Sequence, residues 1–297
     1  MAVRLVYTEN VVELALPPGY RFPIAKYDML VEALERRHAE RLFLAAPASR
    51  EDLELAHDPA YVEAVVRGTL DEGRIRRLGF PWSESLVRRT FRSVGGTLAA
   101  LAWAVETGAS GHLAGGTHHA FRDRGEGFCT FNDLAVAALV ARRDHGLRRV
   151  AIVDLDVHQG NGTAAIFEHD PDVFTLSVHG GRNYPFHKER SSLDVELPDG
   201  CDDEAYLAAL PEALERVAAF RPEILLYQAG VDCLEGDRLG RLRVTLDGLA
   251  RRDALVFALA KRLAVPIVVT LGGGYHRAID RTVAAHAQVF EALLSYR

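Results

Sequence analysis

Short apolar runs that alternate with longer segments of helical period limit most strictly what this chain can fold into. Runs near Arg4–Thr8, Gly111–Ala114, Val150–Val157, Val173–Val178, Ile224–Ala229 and Ile267–Leu271 read as strands. Between them, apolar residues at three- and four-residue spacing predict helices over Tyr27–Arg36, Ala60–Arg67, Leu86–Glu106, Leu134–Asp144, Ala164–Glu168, Glu204–Ala219, Leu246–Leu263 and Ile279–Leu294. Asp28 early in the first, Gly108 after the third and Pro266 after the seventh are start or stop signals. This alternation is the pattern of an α/β protein around a mostly parallel sheet. No low-complexity linker and no internal repeat divides the chain, so residues 1–297 read as one domain, and 48% hydrophobic content is enough for a core of that size.

The bulk properties exclude several classes. A formal charge of -6 leaves no general affinity for polyanions, and Arg88-Arg89 and Arg251-Arg252 stand beside acidic residues without forming a basic stripe, so no nucleic-acid partner is expected. Cys129, Cys201 and Cys233 are odd in number, widely spaced and without a CxxC pair, which argues against a disulfide framework or a thiolate zinc site and fits a reducing compartment. MAVRLVYTEN has no apolar signal core, and no run approaches the roughly eighteen apolar residues of a membrane span. The expectation is a soluble cytoplasmic protein.

The unusual polar residues fall at strand ends. Gly115-Gly116-Thr117-His118-His119, Asp154-Leu155-Asp156-Val157-His158, Gly230-Val231-Asp232 and Gly272-Gly273-Gly274-Tyr275 each lie at a predicted C-terminal strand end. Ligands of open α/β sheets bind outside the carboxyl ends of the strands, so these segments are expected to converge on one site. In the second of them a strand period of two would point Asp154, Asp156 and His158 to one face. Two carboxylates buried together repel and lose solvation unless a cation or a donor compensates, and a divalent metal does so. A lone DxDxH also fits a strand end with solvated carboxylates, and a lone Asp232 also fits a cap or turn. Together, Asp156, His158 and Asp232 make a mixed nitrogen and oxygen set with room for water, as catalytic zinc requires; such ligands also admit iron or manganese.

Three further groups carry chemistry. Adjacent His118 and His119 behind two glycines can divide roles, one taking a proton and the other supplying positive potential, although two ordinary loop histidines would look alike. Tyr275, after three glycines, can donate its O–H to a developing oxyanion; a packed tyrosine is the plain alternative. Gly272–Gly274 has neither a GxGxxG nor a GxxxxGK[ST] spacing, so phosphate cradling is discounted.

These segments together resemble the histone deacetylase family of the arginase–deacetylase superfamily. The resemblance rests on GGTHHA at Gly115–Ala120, GEGFCTFND at Gly125–Asp133, VDLDVHQGNG at Val153–Gly162, QAGVD at Gln228–Asp232 and LGGGY at Leu271–Tyr275, in matching order. It implies a single-domain three-layer α/β/α fold with an eight-stranded parallel sheet. It implies one zinc ion held by Asp156, His158 and Asp232, with His119 as general base and acid, His118 as its electrostatic neighbour bonded to Asp154, and Tyr275 on the scissile carbonyl. Substrate-binding positions by the same comparison are Gly127, Phe128, Tyr184, Leu239 and Gly273. Structural potassium would involve Asp154, Asp156, His158, Ser177 and Val178, with a second ion near Phe167, Asp170 and Val173. The implied reaction is hydrolysis of an acylated lysine of a protein or peptide by metal-activated water.

Two departures stand out. Asn161 occupies the place of the carboxylate that usually partners the second tandem histidine; its amide oxygen can accept from the imidazole but cannot stabilise imidazolium as a charge would, so His119 is expected to be less basic than in most relatives. The QGNG wording and the helix with Gly95-Gly96 resemble class IV members, which are associated with removal of long fatty acyl groups. The aspartate that clamps the substrate backbone in many members has no match, and Glu84 lies in the corresponding loop. A deacetylase of small acylated amines such as acetylpolyamines would use the same residues. A two-manganese ureohydrolase is disfavoured because Asp156-Val157-His158-Gln159-Gly160 lacks the last carboxylate of a DxHxD motif, and a non-catalytic acyl-lysine binding module is disfavoured by the complete ligand set.

Overall fold

The computed structural model describes residues 2–8, 14, 16–17 and 19–296. Eight strands, β1 (Arg4–Tyr7), β2 (Leu42–Leu44), β3 (Ala109–His112), β4 (Val150–Asp154), β5 (Val173–Gly180), β6 (Leu193–Leu197), β7 (Ile224–Gln228) and β8 (Ile267–Thr270), form one sheet in the order β2-β1-β3-β8-β7-β4-β5-β6. Every pairing is parallel. The helices are α1 (Lys26–His38), α2 (Arg50–Ala56), α3 (Pro59–Arg67), α4 (Glu72–Leu78), α5 (Glu84–Thr107), α6 (Asp133–His145), α7 (Asn161–Phe167), α8 (Asp203–Phe220), α9 (Leu246–Leu263) and α10 (Ile279–Leu294). No helix among the described residues is long and apolar enough to cross a membrane.

The sheet is buried on both faces, as its near-continuous apolar strands require. Successive residues alternate between two cores: Leu5, Val153, Leu225 and Val269 join one with α1, α8, α9 and α10, while Val6, Ile152, Leu226 and Val268 join the other with α2, α3, α5 and α6. That alternation makes the three layers. It also explains which elements pattern reading finds. The six expected strands and eight expected helices are all present, α9 and α10 with the expected bounds and the others with shifted ends, whereas β2, β6, α2 and α4 were not expected. Each of the four is short, and β2 and β6 are half-exposed edge strands. A local signal did exist for α2, where Ser49 and Asp52 form a reciprocal capping box.

One correction bears on the site. The run expected to continue as strand to Val157 stops at Asp154, so Asp156 and His158 lie on an irregular segment. Arg252, counted above with Arg251 in the charge pattern, contributes nothing to the surface charge. It is fully buried, donating from Nη1 to the carbonyls of Gly230 (2.5 Å) and Leu155 (3.3 Å) and from Nε to Asp253 (2.9 Å).

Helix α5 crosses the sheet closely through Gly95 and Gly96. A methyl group at Gly96 would collide with the buried ring of His112 on β3, and one at Gly95 with the backbone at Ala46–Ala48. Replacing a helical glycine by alanine ordinarily stabilises by about 1 kcal/mol. Here overpacking reverses the sign, so Gly96→Ala is expected to destabilise by about 1–3 kcal/mol. The check is the midpoint of urea unfolding; a midpoint equal to or above that of the unaltered protein would refute the close contact.

Candidate active site

The four motif segments follow β3, β8, β7 and β4, which are neighbours at the centre of the sheet. Because the strands are parallel, all four carboxyl ends open on the same edge, and residues from 115 to 275 meet there.

Asp133, the first residue of α6, fixes the first segment. Its carboxylate accepts from the backbone N–H of Gly116 (3.0 Å) and Thr117 (2.7 Å) and from the hydroxyls of Thr97 and Thr117 (2.6 Å each). Asn132 caps the same helix and donates to Ala120 O (3.1 Å) and Thr163 Oγ1 (2.9 Å). Behind it, buried His57 bonds Phe121 O through Nδ1 (2.9 Å) and accepts the Asn132 N–H at Nε2 (2.9 Å). Burial holds His57 down at about 4, which suits that neutral tautomer. Asn132 and Asp133 lie within a quoted motif and His57 outside all of them, and their role in aiming the histidines is visible only in three dimensions.

The tandem histidines are both buried, with ring centroids 4.0 Å apart. His118 Nδ1 is 2.6 Å from Asp154 Oδ2, and its Nε2 is 3.9 Å from Asp156. Burial opposes the charged ring, yet the two carboxylates outweigh it and hold His118 above the ordinary imidazole value. His119 goes the other way: burial and the neighbouring His118 and His158 hold it well below. Its Nδ1 bonds Asn161 Oδ1 at 2.7 Å.

Glu126 is a residue that pattern reading passed over. Its Oε1 accepts from Asn161 Nδ2 at 3.1 Å and from the hydroxyl of Tyr184. A carboxylate only accepts, so the amide nitrogen must face Glu126 and the amide oxygen must face His119. His119 then carries its hydrogen on Nδ1, and Nε2 presents a lone pair.

Asp156, His158 and Asp232 are all buried and offer ligand atoms within 4.8 Å of one another. Asp156 accepts from the N–H of Gly273 (2.6 Å) and His158 (3.0 Å), and Asp232 Oδ1 from that of Val157 (2.9 Å). His158 Nδ1 stands 3.0 Å from Asp156 Oδ1 and 3.0 Å from Asp232 Oδ2. Only the former contact has hydrogen-bond geometry, so the buried Oδ2 of Asp232 has no hydrogen-bond donor. Desolvation and the charge of Asp156 push Asp232 up to about 7. Against desolvation, Asp232 and Asp156 push His158 up to about 10. A side chain at Gly273 would overlap Asp232 and Asp156, so only glycine leaves the carboxylates room. An undonated buried carboxylate oxygen, a second carboxylate and an imidazole nitrogen fit a divalent cation, and nitrogen and oxygen donors suit zinc or iron.

Tyr275 is set by Asp237, also unforeseen, whose Oδ2 accepts from Tyr275 N (2.6 Å) while Oδ1 accepts from Leu239 N (2.8 Å) and Gly240 N (3.0 Å). Lys26, buried at the start of α1, donates to Gly272 O at 3.0 Å and lies 5.5 Å from the Tyr275 ring centroid. Gly127 and Phe128 both have positive φ (56° and 68°), and their N–H groups bond Arg77 O (3.2 Å) and Leu78 O (2.8 Å) at the end of α4. That bend turns the Phe128 ring into the cleft.

Two cavities meet at His119, Gly127, Phe128, His158 and Tyr275. The outer cleft, about 520 Å³, is also lined by Tyr184 and Leu239; the inner pocket, about 30 Å³, reaches Gly273, Tyr27 and Arg89. All five expected substrate-binding positions therefore border one cavity or the other. Glu84 does not: it opens α5, exposed, 3.7 Å from Arg88. Of the positions implied for potassium, Ser177 is in register with Asp154 across β4 and β5, Val178 follows it, and Ser177 Oγ bonds His179 Nδ1 at 3.0 Å. Phe167 ends α7, Asp170 pairs with Arg142 at 2.5 Å, and Val173 begins β5.

A histone deacetylase domain profile matches residues 20–290. A Picosynechococcus protein, itself uncharacterized, is 43% identical over 93% of this chain and 94% of its own length. Histone deacetylase 2 of Arabidopsis thaliana is 36% identical over 80% of this chain, which spans 64% of that longer protein. The crystal structure of a histone deacetylase homologue from Aquifex aeolicus superposes with a TM-score of 0.86 at 25% identity, covering 100% of this chain and 85% of that one. With the eight-stranded parallel sheet and the motif segments gathered at one edge, these matches show that the chain belongs to the histone deacetylase family.

Proposed function

We propose that the protein is a zinc-dependent deacylase that hydrolyses the amide of an acylated lysine. The observation that carries this reading is the undonated, buried Asp232 Oδ2 beside Asp156 and His158, with the His119 ring 5.9 Å from that of His158. Asp156, His158 and Asp232 would hold the zinc, which when bound would lower the pKa of water and polarise a carbonyl. The chain's own groups do the rest. His119 Nε2 takes a proton from the attacking water, and the Asn161 oxygen holds the opposite N–H in place. Tyr275 donates its hydroxyl to the carbonyl oxygen as negative charge grows there. His119 then delivers the proton to the nitrogen as the C–N bond breaks, leaving a carboxylate and a free amine. His118, held toward its cationic form by Asp154 and Asp156, supplies positive potential.

The constriction sets the direction of binding. With the carbonyl beside His119 and Tyr275, the acyl tail points into the inner pocket and the amine side into the outer cleft. About 30 Å³ is room for one or two waters. A short acyl group fits there, so acetyl is favoured over the long chains that the class IV resemblance implies. The potassium positions at Ser177, Val178, Phe167, Asp170 and Val173 remain a proposal from resemblance.

Zinc-loaded protein is expected to turn over an acetyl-lysine peptide faster than its myristoyl counterpart and to lose activity on chelation. His119→Ala should lower kcat by about 10²–10⁴-fold and Tyr275→Phe by about 10²–10³-fold, with melting temperatures little changed. No turnover across acyl lengths by metal-replete protein would sink the reading. Asn161→Asp places a charge against His119 Nδ1 and should raise its basicity. Its base form is then lost at higher pH, so the acidic limb of the kcat/KM profile moves up; a limb at or below that of the unaltered enzyme contradicts the assignment.

A further inference from the structure

The rim of the outer cleft is lined by six arginines from separate segments: Arg21 ahead of α1, Arg76 and Arg77 at the end of α4, Arg182 after β5, and Arg238 and Arg241 after β7. All six are exposed. Among the described residues no carboxylate lines this cleft. Arg76 stands 3.3 Å from Glu72, and Arg182 and Arg241 share Asp199 at 3.7 and 3.1 Å. Arg21, Arg77 and Arg238 have no ion-pair partner among the described residues. On a chain of net charge -6 this is a local concentration of positive charge. Like charges gathered around one opening repel, which costs stability, and a concave wall focuses their field on whatever enters.

We infer that the substrate is anionic on its amine side: an acyl-lysine in a peptide segment with acidic neighbours, whose carboxylates meet Arg21, Arg77 and Arg238. This rests on the deacylase reading, which directs the acyl group inward and leaves the flanking residues at the rim. Guanidinium groups suit carboxylates because each presents a planar pair of N–H donors. Phe186, 80% exposed and stacked edge-on against Tyr184, adds an apolar contact at the same opening. An acylpolyamine, cationic beyond its amide, meets the same field with the wrong sign.

The test is steady-state turnover of acetyl-lysine peptides of equal length flanked by acidic, neutral or basic residues, alongside acetylputrescine, by the zinc-loaded protein at low and high salt. The acidic peptide should exceed the basic one by about tenfold or more in kcat/KM at low salt, and the ratio should shrink when salt shortens the Debye length to a few ångströms. In Arg77→Gln/Arg238→Gln the ratio should fall toward one with the melting temperature unchanged. Equal turnover, a preference for basic peptides or better use of acetylputrescine would overturn the inference while leaving the deacylase reading intact. Should neither these substrates nor their longer-acyl counterparts be hydrolysed, the deacylase reading fails, and fluorescence anisotropy of the labelled acidic peptide decides the rim. Salt-sensitive binding that the double variant loses sustains it; absence of binding, or displacement by an RNA oligonucleotide of equal charge, overturns it.

Discussion

Three carboxylates withdrawn from water at the carboxyl edge of the sheet govern the rest of this molecule. Asp154, Asp156 and Asp232 are 3%, 0% and 0% exposed, and an unpaired buried carboxylate costs several kcal/mol. Backbone N–H groups of Asp156, Val157, His158 and Gly273 turn inward to meet them, and His118 closes on Asp154. From beneath, Arg252 grips the carbonyls of Leu155 and Gly230 and so ties the loops after β4 and β7 together. What these donors leave unsatisfied is one carboxylate oxygen, and that remainder is the physical argument for a cation.

The same constraint separates the tandem histidines. His118 faces two carboxylates and is held toward the charged form, while His119 faces an amide and two other imidazoles and is held toward the neutral form. Neighbouring groups of one type whose environments push them apart are the usual basis of acid and base assignment. Asn161 is therefore not merely a weakened carboxylate. Glu126 orients its amide, so negative charge persists one hydrogen bond further from His119, shared with the Tyr184 hydroxyl at the cleft wall. Tautomer control is kept, and direct charge stabilisation of the imidazolium is reduced.

The topology gives the site its two-sided form. Loops from adjacent parallel strands close around a constriction, a small pocket lies on one side and an open cleft on the other. Short unforeseen elements matter here: the last turn of α4 carries Arg76 and Arg77 and receives the bend at Gly127 and Phe128. The two sides differ in size and charge: about 30 Å³ within, and about 520 Å³ lined by six arginines without.

The sequence by itself determined the α/β class, the central strands and long helices, and the polar segments that gather at one edge of the sheet, because apolar period and uncommon polar clusters are local properties. It misplaced the reason Asp154, Asp156 and His158 act together: β4 ends at Asp154, and hydrogen bonds to neighbouring loops, rather than strand alternation, bring the three into one site. Only the tertiary structure decided the roles of Asp133, Asp237, Glu126 and Lys26, the burial of Arg252 and the gathering of six arginines at one opening. Each depends on partners far away in the chain. No window of sequence records which distant donor a carboxylate will meet or which arginines will share a rim, since those outcomes follow from strand order and loop packing.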